Sequence, residues 1–438
     1  MVDLDRRACF RGVADLVEDS LYDWHTAGSE FPRLEGKYSK SEQKCRENLL
    51  DSHLEAIDAE LLQASRTRTA PEATLARLAS EFVQISSYAL ELEDPAIKLL
   101  LRDGFSQIAL DLARWARRFD PAVSMADILQ AARNAWTACG LQFLLGKTVR
   151  LTPAIFAYSM LYPYSDNYLD EKTITGDAKL QFSERFRRRL DGERPAARNE
   201  REEMISRLVG LIESEYPRRE FPHVYGSLLA IHAAQQDSIR QMQKDRGGHP
   251  IEVARLTVTK GGTSVLADAY LAAGDLSQDE AEFAFNWGVV LQLGDDLQDF
   301  RCDSERGSLT LFTQAAHRET LDRITNKTLH FSQAAMLRMA RLSNGTDVLR
   351  DLLTRSSRML LIRSAANLPE LYSEAYLAEL ENFSPFGFEF LRTRERRFAR
   401  RRKSYSRLFE QVVRVPGESK ADRSIKWPLC GDPSLSSS

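Results

Sequence analysis

The chain has 438 residues, 43% of them hydrophobic and 28% charged, which is ample material for a buried core and excludes wholesale disorder. Sixty basic against 63 acidic residues leave a formal net charge of -3, so the chain as a whole exerts no pull on nucleic acid or on an anionic membrane, and any polyanion site must be local. Its cysteines, Cys9, Cys45, Cys139, Cys302 and Cys430, form neither a CxxC pair nor a zinc-spaced Cys/His cluster, a usage that suits reduced thiols in a cytoplasm.

The N-terminal MVDLDRRACF lacks the apolar core of a signal peptide, and no window reaches about 18 uninterrupted apolar residues, so neither export nor a membrane span is expected. Residues 1–69 read as helices added to a core. From residue 70 to 410 apolar residues recur at three- and four-residue intervals, as in ATLARLASEFVQISSYALEL from Ala73, DILQAARNAWTACGLQFLL from Asp127 and EEMISRLVGLIESEY from Glu202. Turn residues punctuate this stretch without opening a long linker, and no alternating strands joined by Asn-Gly or Asp-Gly turns occur. The expected fold is all-α, a single large helical bundle, followed by a loosely ordered tail over 411–438.

The first informative segment ends in Tyr162-Pro-Tyr-Ser-Asp166-Asn167-Tyr-Leu-Asp170-Glu171. On a helix Tyr158, Tyr162, Asp166 and Asp170 fall at successive i+4 steps, which places two carboxylates above two aromatic rings. In the second segment Asp295, Asp299 and Asp303 repeat at i, i+4 and i+8 at the polar end of an apolar helix, with Trp287 and Leu291 preceding them on roughly the same side. Carboxylates stacked in this way repel and want a cation. Hard Mg²⁺ prefers carboxylate, water and phosphate oxygens. Two such helix ends facing each other would hold several Mg²⁺ ions, expected as three, against one diphosphate; Asp166, Asn167, Asp170, Asp295, Asp299 and Asp303 are the expected ligands, with an apolar, aromatic wall beneath.

Asp166-Asn167-Tyr168-Leu169-Asp170-Glu171 resembles the first aspartate-rich motif of the class I isoprenoid synthase superfamily, and Gln292-Leu-Gly-Asp295-Asp296-Leu-Gln-Asp299 is similar to its second, QxxDDxxD. The spacing of 129 residues between Asp166 and Asp295 is of that family's order. Asp303-Ser-Glu-Arg306-Gly307 resembles the sequence after the second motif in squalene and phytoene synthases, and Thr259-Lys260-Gly261-Gly262-Thr263 resembles the small-residue helix break before it. The resemblance implies a bundle with a central cavity, a linear prenyl diphosphate substrate, catalytic roles for Asp166, Asp170, Asp295 and Asp299, and diphosphate contacts from Arg255, Lys260 and Arg306. Tyr158, Tyr162 and Trp287 are the expected hydrocarbon wall.

No Arg-Arg-Gly follows the first motif, which demotes chain elongation. The leading expectation is a terpene synthase that ionises its substrate and cyclises the cation. The alternatives are squalene- or phytoene-like condensation and a helical lipid-binding or scaffold protein without catalysis. No nucleotide loop or GxSxG nucleophile competes. No nucleic-acid partner is expected, a homodimer stays open, and the basic run from Arg392 to Arg407 has no assigned role.

Overall fold

A helix needs its first backbone donors satisfied before its apolar stripe can be used, and this sequence supplies the caps. The computed structural model describes residues 12–67, 105–171, 173–244 and 250–397, with Arg77 and Ile85 between them. The expected helix from Ala73, apart from those two residues, the basic run beyond residue 397 and the tail from 411 lie outside the described residues. What is described is all-helical, with no strand among the described residues. Nor is any described helix long and apolar enough to cross a membrane.

In chain order the main helices are α1 (Val13–Thr26), α2 (Lys40–Thr67), α3 (Phe105–Phe119), α4 (Met125–Leu144), α5 (Pro153–Asp170), α6 (Gly176–Leu190), α7 (Glu200–Glu215), α8 (Pro222–Lys244), α9 (Pro250–Ala273), α10 (Gln278–Gln298), α11 (Phe300–Arg306), α12 (Leu311–Ala316), α13 (Asp322–Leu337), α14 (Asp347–Ala366) and α15 (Glu374–Glu381). Thr152 caps α5 through a bond from the Ile155 N–H, and Pro153 follows where its missing donor costs nothing. Ser277 and Glu280 form a reciprocal capping box on α10.

The described part of the N-terminal region, residues 12–67, is built into the bundle. α1 packs on α9, α10 and α13, Ser20 donates to Asn286 of α10 at 3.0 Å, and Gln43 of α2 donates to the carbonyls of Glu381 and Ser384 at 2.9 Å each.

The closest pairing is α9 on α10. It depends on glycine. A Cβ on Gly261 would meet Gln292 Cβ at 2.5 Å and the Gly288 carbonyl oxygen at 2.7 Å; one on Gly288 would run into the Gly261 carbonyl, and one on Gly262 into the Phe285 ring. The sequence suggested a helix break at Gly261-Gly262, but α9 runs unbroken through both. They serve contact between helices, because only a residue without Cβ lets two backbones approach this closely. Gly288→Ala must therefore push α9 and α10 apart. It is expected to lower the free energy of unfolding by at least about 3 kcal/mol, the upper end of ordinary overpacking costs. Urea denaturation checks this, and an unchanged midpoint would contradict the crossing.

Candidate functional site

The acidic stripe spans a helix junction. Asp299 caps the C-terminus of α10; its N–H donates to the Asp295 carbonyl at 2.8 Å, and the Asp303 N–H donates to the Asp299 carbonyl at 3.0 Å. These bonds carry the i+4 register from α10 into α11, so Asp295, Asp299 and Asp303 follow one another in a stripe that winds slowly about the axis and stay within electrostatic reach of one another. Gly307 then stops α11 in the left-handed region at φ 71°, where its N–H and that of Ser308 satisfy the terminal carbonyls of Ser304 and Asp303.

The line is crowded with negative charge. Although Asp295 is exposed, surrounding protein and then Asp299 push its pKa up, while Lys260 and Arg133 pull it down. Asp303 is raised to about 6, first by burial and then by Asp299, against the pull of Lys260 and Arg306. Asp296, buried beside the stripe, accepts from Gln292 Nε2 at 2.7 Å and is raised to about 7, chiefly by burial. Lys260, on α9, thus acts on three acids at once. Neither it nor Arg133 is held in an ion pair with another described residue.

The first motif lies at the end of α5. Asp166 accepts from Ser165 Oγ at 3.0 Å and from Gln235 Nε2 of α8 at 3.1 Å. Asn167 is turned to α4, its Nδ2 donating to Asp127 Oδ1 at 2.8 Å. The Asp170 side chain lies outside the described residues. Below Asp166 the rings of Tyr158 and Tyr162 meet edge to face at 5.5 Å. Tyr162 shares a 2.5 Å hydrogen bond with Ser264 Oγ of α9, and Tyr158 OH donates to the Ser264 carbonyl at 3.3 Å.

α9 therefore joins the two segments: Lys260 faces the acidic line, and Ser264, one turn on, faces the tyrosines. Two expected contributors lie elsewhere. Arg255 is engaged with Glu18 of α1, at 2.6 and 3.1 Å, and is not a free diphosphate ligand. Trp287 is buried and stacked on Phe283 at 5.9 Å. It shares a helix face with Gly294, whose missing side chain makes room for Leu360 of α14, so it is turned away from the Ser264 side. Arg306 is exposed and acts on Asp303 through its charge.

Sequence reasoning missed Arg133 and Gln235, because neither repeats at a helical spacing that marks it; only the fold brings them to the two motifs.

Among the described residues, no three His, Cys, Asp or Glu side chains converge on one metal position. The stripe instead spaces its carboxylates one turn apart, about 6 Å. These are hard oxygen donors, and Mg²⁺ needs only one or two such ligands when phosphate and water complete its shell. The residues fit that ion. Comparison with protein-family models, curated proteins and solved structures yields no match.

The raised acids set a pH dependence. Their folded pKa values of about 7 for Asp296 and about 6 for Asp303 exceed the ordinary unfolded value of about 4. Between those limits each of these two carboxyls holds more proton in the folded chain than in the unfolded one, so its contribution to stability falls as pH rises from about 4 to about 7. His232, lowered to about 4 by burial, contributes in the opposite sense over the lower part of the window. Urea midpoints measured in parallel for the wild type and Asp296→Asn should show the variant gaining on the wild type as pH rises. A constant difference between the two would contradict the burial of the Asp296 carboxyl.

Proposed function

We propose that this chain is a class I terpene synthase: it binds a linear prenyl diphosphate at the acidic line, promotes loss of diphosphate and guides the resulting carbocation to cyclised or rearranged product. The observation that carries this reading is the line Asp295, Asp299 and Asp303, held in register, with Lys260 acting along it and Arg133 acting on Asp295, neither cation ion-paired with another described residue. A surface without a ligand has little reason to assemble such charges, since stacked carboxylates only raise one another's pKa.

Asp295, Asp299 and Asp303, with Asp166 and Asp170 from α5, are the residues that would hold Mg²⁺, which when bound neutralises charge on the leaving diphosphate. Lys260 supplies positive charge beside Asp295 and Asp303, and Arg133 beside Asp295, where diphosphate oxygens would accept their hydrogen bonds. Gln235 orients Asp166 through its amide. The tyrosine rings below present apolar surface and π faces to the hydrocarbon, and their hydroxyls are already occupied by Ser264 and by each other, so they offer a cation little nucleophile.

The decisive experiment incubates the protein with Mg²⁺ and geranyl, farnesyl or geranylgeranyl diphosphate, singly and with isopentenyl diphosphate, and identifies products by mass spectrometry. A cyclic or rearranged product from one substrate is expected. A dimeric hydrocarbon would mean condensation, a longer diphosphate elongation, and no consumption a binding protein. Asp166→Ala and Asp299→Ala should each cut diphosphate release by at least about 100-fold, beyond the 10- to 100-fold typical of outer-shell changes, and chelation of Mg²⁺ should do the same. Their helical circular dichroism should stay near wild type. Full activity in either variant removes that residue from the site.

The wall is tested separately. Tyr162 lies one turn, about 6 Å of rise, below Asp166, so its ring would touch hydrocarbon. Tyr162→Leu should leave diphosphate release running while moving the product profile toward earlier-quenched compounds. An unchanged profile from a folded, active variant would place the hydrocarbon elsewhere.

A further inference from the structure

Beneath Asp166 lies a cavity that the acidic motifs do not account for, lined by Tyr158, Tyr162, Leu228, Ile231, His232 and Gln235 among others. His232 is only 3% exposed. Its Nε2 is 3.0 Å from the Ser183 carbonyl oxygen, which can only accept, so Nε2 carries the ring proton and Nδ1 is the basic nitrogen. Nδ1 is buried without a hydrogen-bond partner. An orphaned acceptor in the core is costly, and a small void beside it, here also reached by Tyr158, Tyr162 and Gln235, is the usual place for an internal water. The cavity has about 20 Å³ of room for such a molecule, against the roughly 10 to 15 Å³ that one water needs.

Depth gives this arrangement chemical meaning. Gln235, on the same helix, reaches Asp166 at the diphosphate level. His232 precedes it by three residues, about 5 Å along α8, and lines the cavity with Tyr158 and Tyr162, at the level of the hydrocarbon. Burial also pushes the imidazole pKa down to about 4, which keeps the ring neutral.

We propose that this cavity holds one water donating to His232 Nδ1, and that this pair ends the reaction by hydrating the carbocation, so that the product is an alcohol. The water oxygen forms the new C–O bond as one of its O–H bonds breaks, and that proton passes to Nδ1. The imidazolium so formed returns the proton to solvent after product leaves. This use of the pair rests on the prenyl diphosphate reading; the water itself does not.

Two measurements separate them. Nitrogen NMR of the full chain should show His232 Nδ1 unprotonated and hydrogen-bonded, and the bonded shift should vanish in Leu228→Phe, which brings extra volume into the cavity while keeping His232. Identical Nδ1 shifts in the two proteins would overturn the water. Turnover of geranyl, farnesyl and geranylgeranyl diphosphates with Mg²⁺ in ¹⁸O-water should place the label in an alcohol. His232→Gln, which retains a donor for Ser183 but lacks Nδ1, and Leu228→Phe should both keep diphosphate release near wild type and lower the labelled alcohol at least about tenfold, a modest share of what general-base catalysis provides. A wild-type product that is an unlabelled hydrocarbon, or labelled alcohol unaffected by both variants, overturns the hydration step. Absence of diphosphate release from all three substrates overturns the ionisation reading on which that step depends.

Discussion

The contact on which the site depends is the backbone-to-backbone crossing of α9 and α10 at Gly261 and Gly288, with Gly262 seated on the Phe285 ring. Two helices separated by ordinary side chains sit 8 to 10 Å apart, too far for a lysine on one to act strongly on a full turn of acids on the other unless it reaches across solvent. Here the missing Cβ atoms draw the helices together just before the acidic line begins. Lys260 directly precedes the first of the contact glycines, and Gln292 and Asp295 follow Gly288 on nearly the same face. The packing glycines and the charged groups belong to one continuous face, so local packing and the electrostatic arrangement cannot be altered independently.

That coupling also explains why a stability cost persists at the line. Raised carboxyl pKa values mean that the folded chain holds its acids in a less comfortable setting than water. Displacement of water by the surrounding protein is the largest cause in each case, even at Asp295, which keeps an exposed face, and mutual repulsion adds to it. Lys260 opposes the charge of Asp295, Asp296 and Asp303, helped by Arg133 at Asp295 and Arg306 at Asp303, and together they do not restore the ordinary values. Ligands that bring positive charge would remove this penalty, which is the physical content of reading the line as a cation and diphosphate site.

The helical class and the acidic line were legible in the sequence because both are periodic: apolar residues at three- and four-residue steps, and carboxylates at four. Other features were not. Trp287 was expected beneath Asp295 because the two are eight residues apart, yet each four-residue step on a helix of 3.6 residues per turn drifts by about 40°. After two steps the tryptophan has turned toward α14, and by Asp299 the offset is greater still. Arg255 has the right type and position for an anion ligand, but its partner Glu18 is 237 positions away and no local pattern announces it. Arg133 and Gln235 were invisible for the complementary reason, since each gains its role from a neighbour on another helix. His232 carries no metal spacing; its significance lies in an orphaned nitrogen that only a folded core reveals.

The polar groups of α9 follow a gradient that ties these features together. Lys260, Ser264 and Asp268 succeed one another at four-residue steps, running from the acidic line inward. Lys260 is charged and half-buried; Ser264 is neutral and bonds both tyrosines; Asp268 is fully buried, receives Asn134 Nδ2 at 2.9 Å, and has its pKa pushed well above the usual carboxylate range by burial. That shift disfavours the charged form at depth, so charge along the ladder is weighted toward its outer end. A deep ionised aspartate beside Tyr158 and Tyr162 would attract any cation formed between these helices and hold it, whereas a neutral carboxyl leaves the wall without a fixed countercharge. The same helix thus concentrates charge where a diphosphate would be held and withholds it where a hydrocarbon would lie. This separation follows from burial alone, because the cost of ionising a carboxyl rises steeply with depth.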